Sequence, residues 1–131
     1  MEWLTEDKVK EGSKTLKGAL EMSITHHRQV LDATPTELKR AHNADRVDLY
    51  VGYCGLCQYC KLHQQQCPLN PECSLSFLIC CEEWGTANDK FDVWLFAEKG
   101  KRKGKRIIAY QDFRQAETKL YKKLLGLRKK I

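Results

Sequence analysis

The sequence has no apolar run approaching the roughly 20 residues that a bilayer-spanning helix needs, so no membrane-spanning helix is expected in it. Its first ten residues, Met1 to Lys10, mix acids with bases and hold no apolar stretch, so no secretory leader is expected. The motifs of common enzyme chemistries are missing as well. There is no P-loop, no GxGxxG, no Ser-His-Asp order, and neither HExxH nor HxxE. The HxE…PCxxC pattern of zinc deaminases is absent too, because Cys67 precedes its proline. These absences point away from catalysis and from a membrane partner, and leave the cytoplasm as the default location.

What is present suits one domain. The chain has 131 residues, 42% hydrophobic and 31% charged, a balance typical of globular rather than disordered chains. Its net charge of +6 is unevenly spread. Residues 98–131 carry +10 and the preceding residues −4. Such a tail suits an acidic partner: nucleic acid, an acidic protein face, or the chain's own acidic body.

Helical spacing organises most of the chain. Leu16, Leu20, Ile24, His27 and Leu31 share one face of a helix over 13–32, with Ser13 as its N-cap. Thr34-Pro35-Thr36-Glu37 reads as a capping box with proline at the first helical position, opening a helix to about Ala44. Residues 47–51 alternate as in a strand. The glycines and prolines of the cysteine-rich segment, residues 52–81, favour turns over regular structure. A buried helix is expected from Ser74 to Trp84, ended by Gly85. Residues 87–98 fit a strand or a helix face, and helix is preferred: Ala87, Phe91, Trp94, Leu95 and Glu98 share that face. The basic run 99–106 reads as an exposed loop. From about Ile108 onwards Phe113, Ala116, Leu120, Leu124 and Leu127 form an unbroken stripe, the mark of a long final helix. That stripe fits core packing, and its length also allows a homodimer through the C-terminal helix.

With no secretory leader expected, seven cysteines point to metal before disulfides, since a reducing compartment does not keep disulfides and an odd count leaves one unpaired. Structural zinc takes four ligands in a tetrahedron. Cys54-Gly-Leu-Cys57 has the CxxC form that brings two sulfurs to one ion, with Gly55 permitting the tight backbone. Cys67 and Cys73, with Pro68 and Pro71 stiffening the loop between them, complete the expected set for one structural zinc. Cys60 and His63 are alternative ligands. Cys80 and Cys81 lie in an apolar run and read as buried core thiols. His26 and His27 are adjacent, about 100° apart around a helix, so they do not easily share one ion. One is expected to pack and one to be solvated. Together with Asn43 they suggest an HNH nuclease, but the ββα pattern that scaffold needs is not visible.

The stretch Ala19-Leu20-Glu21-Met22-Ser23-Ile24-Thr25-His26-His27, then Cys54-Gly55-Leu56-Cys57-Gln58, then Cys67-Pro68-Leu69 and Cys73, resembles a group of small bacteriophage-encoded cysteine-rich proteins. In those proteins ALxxSIxHW on a first helix is followed by CALC, by CxxCP and a final cysteine, and by a leucine-rich terminal helix. The resemblance implies a phage source, a host bacterial cytoplasm and a cysteine-bound zinc at Cys54, Cys57, Cys67 and Cys73. Two positions depart from the pattern. His27 stands where the family has tryptophan, and Gln64 stands where it has the first cysteine of CxxCP, which keeps Cys60 and His63 open as ligands.

The expected protein is mainly α: a small helical domain, residues 1–131, with N-terminal helices over 13–44, a zinc-stapled segment over 52–81, and helices flanking a basic loop over 87–131. The expected function is non-enzymatic binding of a host protein, modulating transcription or defence. The alternative is nucleic-acid binding through Lys101, Arg102, Lys103, Lys105 and Arg106 with the C-terminal helix. Phosphate contacts by such a run would be salt-sensitive, and Tyr110 and Phe113 just beyond it suit base stacking.

Overall fold

The computed structural model describes residues 2–49, 53–64, 67–68, 81–100 and 102–131. Six helices form among them: α1 Glu6–Gly12, α2 Leu16–Asp32, α3 Pro35–Asn43, α4 Gly55–His63, α5 Glu82–Glu98 and α6 Lys103–Lys130. The described residues form no strand, and none of their helices is long and apolar enough to cross a membrane.

Local chemistry sets the helix starts. Thr5 caps α1 and Thr15 caps α2, each accepting from a backbone N–H three residues on. Ser13 is not the cap that was expected. It closes α1 instead, buried, with its hydroxyl donating to the Val9 carbonyl. Gly18 has a packing reason to interrupt α2. A methyl group there would overlap the Gly12 carbonyl oxygen, so its absence lets α1 fold back on α2. At α3 the expected capping box is complete: Thr34 Oγ1 accepts from the Glu37 N–H and the Glu37 carboxylate accepts from the Thr34 N–H. Beyond α3, Val47 and Leu49 are buried and Asp48 between them is not. The alternation is real, yet residues 47–49 join no ladder. Alternation reports which side is buried, not whether a neighbour is paired. Residues 50–51 lie outside the described set.

The cysteine-rich segment departs from the turn-rich expectation at its start, where Gly55–His63 is α4. Its buried residues Leu56 and Cys60 stand four apart and pack into the same core as α2. Gly55 is required for a reason other than backbone freedom. The described glycines have no positive φ, and a methyl at 55 would overlap the Ala19 carbonyl oxygen of α2. The helix expected to begin at Ser74 falls largely outside the described residues. Gly85, its expected terminator, is buried inside α5.

α5 and α6 form an antiparallel hairpin. Glu83 pairs with Lys123 at 2.7 Å near one end, and Trp94 packs on Tyr110 with ring centroids 5.1 Å apart near the other. α6 begins at Lys103 rather than near Ile108, so the basic run is helical from Lys103 onward. Lysine and arginine are good helix formers, and Ala109 gives the early turns a buried contact.

The interior has two parts. One gathers Leu20, Ile24, Leu56, Trp84, Leu120 and Leu124 with Cys54, Cys60, Cys67 and Cys81. The other gathers Val30, Leu38, Leu49, Phe91, Trp94 and Phe113. Trp84 links them, its indole N–H donating to the Leu49 carbonyl at 2.8 Å. The α6 stripe is therefore internal. Phe113, Leu120 and Leu124 are fully covered within the chain, while Ala116 and Leu127 of the same stripe are half-buried.

Candidate functional site

Three features carry chemistry, and the first is the cysteine pair that opens α4. Cys54 is the N-cap residue, in extended backbone, and its Sγ accepts the Cys57 N–H at 3.2 Å. An amide donor and the positive end of a helix both favour the thiolate, the form in which cysteine binds metal. The Cys54–Cys57 turn thus fits half of a zinc site. Cys67, the third expected ligand, is buried in the same core cluster, with Cys57 packed at its edge. Cys73, the fourth, lies outside the described residues, as does Cys80. Among the described residues no three His, Cys, Asp or Glu side chains converge to hold a metal ion. Of the alternative ligands, Cys60 is buried against α2 and Trp84 in that cluster, and His63 sits at the surface with Nε2 3.0 Å from the Lys14 carbonyl oxygen. Cys81 is a core thiol, as expected.

The second feature is a polar layer between the two halves of the core. His26 and His27 on α2 and Glu117 on α6 are all fully buried. One of the two histidines was expected in solvent. Both are covered because α2 is central, with α1, α4 and α6 packed around it. His27 Nδ1 contacts Glu117 Oε1, and the ring stands edge-on to Trp84 at 4.5 Å between centroids. His26 stacks on Tyr53 at 5.1 Å. Burial holds the His26 pKa well below its usual value; the neighbouring His27 acts in the same direction, and the Asp48 main chain opposes them. That main chain lies near, but not at hydrogen-bonding geometry: neither His26 nitrogen has a hydrogen-bond partner among the described residues. Glu117 escaped the sequence reading, although a signal was there. It sits four after Phe113 and three before Leu120, a carboxylate on the apolar stripe, facing a histidine on the apolar stripe of α2.

No family model, curated protein or solved structure matches this chain.

The third feature lies at the open end of the α5–α6 hairpin. Arg102, Lys103 and Lys105 are exposed and Arg106 is half-buried, while Lys101 is outside the described residues. Among the described residues none of these four cations is paired with a carboxylate. They crowd the first turn of α6, the end of a helix where cations are disfavoured, and that turn holds no acid and no side-chain cap. Of the two aromatics expected to stack on bases, one is withdrawn and the other is half-buried, lining a cleft beside Lys103 and Arg106. Phe113 is fully buried, and Tyr110 packs between Trp94 and Phe113.

Beside the cations runs a groove of about 560 Å³ between α5 and α6. Val93, Phe96, Ala97, Ile108 and Ala109 supply its apolar surface, with Arg102 and Lys105 at one end and Asp112 at the other. Phe96 is 80% exposed, Ile108 60% and Val93 55%. Sequence reasoning missed this patch. The signal was that Val93 and Phe96 fall off the Phe91–Trp94 face of α5, leaving large apolar side chains on its second face.

Proposed function

We propose that this chain is a non-enzymatic binding protein, phage-encoded as the resemblance implies, that acts by engaging a host protein. The observation that carries the reading is the α5–α6 groove. Solvent-exposed apolar side chains scattered singly are ordinary, whereas a contiguous set rimmed by charge marks an interaction surface. In this reading one structural zinc holds the middle of the chain. Cys54 and Cys57 supply one pair of thiolates, and Cys67 and Cys73 supply the other. The support is the thiolate-favouring turn at Cys54. The ion would contribute cross-linking, not catalysis.

The nucleic-acid reading keeps two observations in its favour: the cations that open α6, which no carboxylate among the described residues pairs, and the half-buried Tyr110 beside Lys103 and Arg106. Against it stand the burial of Phe113 and the carboxylate of Asp112 in the neighbouring groove. Two measurements separate the readings. Affinity capture from a bacterial lysate, with mass spectrometry of the eluate, is expected to return one host protein in stoichiometric amount. A gel-shift series across salt is expected to show weak, non-specific binding at most. Strong, steeply salt-dependent retention of nucleic acid with no host protein in the eluate would overturn the proposal.

A further inference from the structure

We infer that the α5–α6 groove receives one amphipathic helix of a partner protein, acidic at the end that meets Arg102 and Lys105. This rests on the reading of the chain as a host-protein binder and names the chemistry of the bound segment. The groove has a direction. Because the hairpin is antiparallel, Val93 lies across from Asp112, and the groove ends at the turn, where Gly100 faces Arg102 and Lys105. Along α6, from Lys105 to Asp112 is about 10 Å of helix, close to two turns. A groove of that length takes the anchors of a helix laid into it, at spacings i, i+3 or i+4, and i+7.

Charge selects the occupant. At the turn, Arg102 and Lys105, which no carboxylate among the described residues pairs, stand beside Lys103 and the positive end of the α6 dipole. An acidic side chain placed there neutralises cations that nothing else among the described residues pairs. At the far end Asp112 asks for a neutral or basic residue. The same Asp112 repels a phosphate backbone lying along the groove, and the aliphatic floor offers no exposed aromatic platform beyond Phe96. A second copy of this chain fits less well, since each copy carries a net +6. A membrane surface is flat, whereas these side chains line a concavity.

The test is selection of a displayed library of random peptides, about 16 residues long so that four helical turns are possible, on the wild-type protein. Counter-selection uses Phe96→Asp. Enriched sequences are expected to carry apolar residues at helical spacing, with acids clustered toward one end. The leading peptide, synthesised and labelled, is expected to lose about tenfold or more in affinity on Phe96→Asp and about fivefold on Lys105→Glu, and to be unchanged on Lys129→Glu. Urea melts of the three variants confirm that the fold is intact. Enrichment of basic or aperiodic sequences, no enrichment over the counter-selected variant, or sedimentation showing the groove closed by a second copy overturns the inference. If a host protein is captured equally well by Phe96→Asp, the groove assignment fails and the binding function stands. If no host protein is captured and an oligothymidine binds instead, both fail.

Discussion

His26 makes the stability of this protein pH-dependent in a calculable direction. The ring is fully buried, stacked on Tyr53, with no hydrogen-bond partner for either nitrogen among the described residues. Burial first, and His27 second, hold its pKa well below 6.5 in the folded chain. Unfolded, it titrates near 6.5. Above that pH both states bind no proton at this site and the group contributes no pH dependence. Below it the unfolded chain takes up a proton that the folded chain refuses, so stability falls as the pH falls. Below the unfolded pKa the slope approaches about 1.4 kcal/mol per pH unit, and it levels off once the depressed folded pKa is reached.

The assay is urea unfolding near neutral pH and at about pH 5, on wild type and on His26→Phe, which keeps an aromatic ring against Tyr53 and removes the titration. Groups common to both proteins cancel in the difference between the two. The carboxyls of Glu37 and Glu83 do not intrude. Glu37 is hydrogen-bonded to the Thr34 main chain and hydroxyl, Glu83 to Lys123, and both pKa values are lowered. Their contribution is present above 4.5 and is lost only as the pH drops through and below that value. His26→Phe is expected to flatten the dependence between neutral pH and pH 5. Equal pH dependence in the two proteins would show that burial does not keep His26 neutral, and the reasoning fails.

Removing the carboxylate that faces His27 should be costly. Glu117→Ala leaves that histidine in the core without its partner and is expected to lose about 3–5 kcal/mol in chemical denaturation, while Glu117→Gln, which keeps a polar contact, loses much less. Gly55→Ala forces α4 away from the Ala19 carbonyl of α2 and should cost about 1–3 kcal/mol in urea unfolding. Protein purified under reducing conditions should contain about one zinc per chain by metal analysis. Cys54→Ser and Cys67→Ser should lose that metal and the cooperativity of unfolding, as should treatment with a chelator, whereas Cys80→Ser should keep both.

The helices that spacing alone could specify were legible. α3 is written in four residues, because its cap needs only the side chains of Thr34 and Glu37 and the ring of Pro35. α2 and α6 follow from stripes of leucine and isoleucine longer than chance alternation produces. What sequence did not reveal is decided by neighbours rather than by local preference. α4 looked like a loop because the glycines and prolines of its segment favour turns. It is a helix because Leu56 and Cys60 have α2 to pack against and Gly55 permits the approach. Gly85 looked like a terminator and is instead a buried contact inside α5. Adjacent histidines suggested one inside and one outside, which holds for a helix with a single covered face; α2 is covered on several sides. The four-ligand zinc set stays where the sequence left it, since Cys73 falls outside the described residues.

The two faces of α5 separate what folds the protein from what it is free to use elsewhere. Phe91 and Trp94 point inward and meet Phe113, so their burial stabilises the chain. Val93 and Phe96, on the same two turns, face water. Fully burying a phenylalanine is worth about 1.5–3 kcal/mol, and at 80% exposure Phe96 contributes little of that to folding. Any polar residue would serve the isolated fold as well at this position and would favour solubility. The same holds for Ile108 across the groove. On the proposed reading, residues that the fold does not need, set side by side on two helices and bordered by cations that no carboxylate among the described residues pairs, are accounted for by a state in which a partner covers them. In that reading the chain carries part of its hydrophobic driving force on the outside, and that part becomes available only on association.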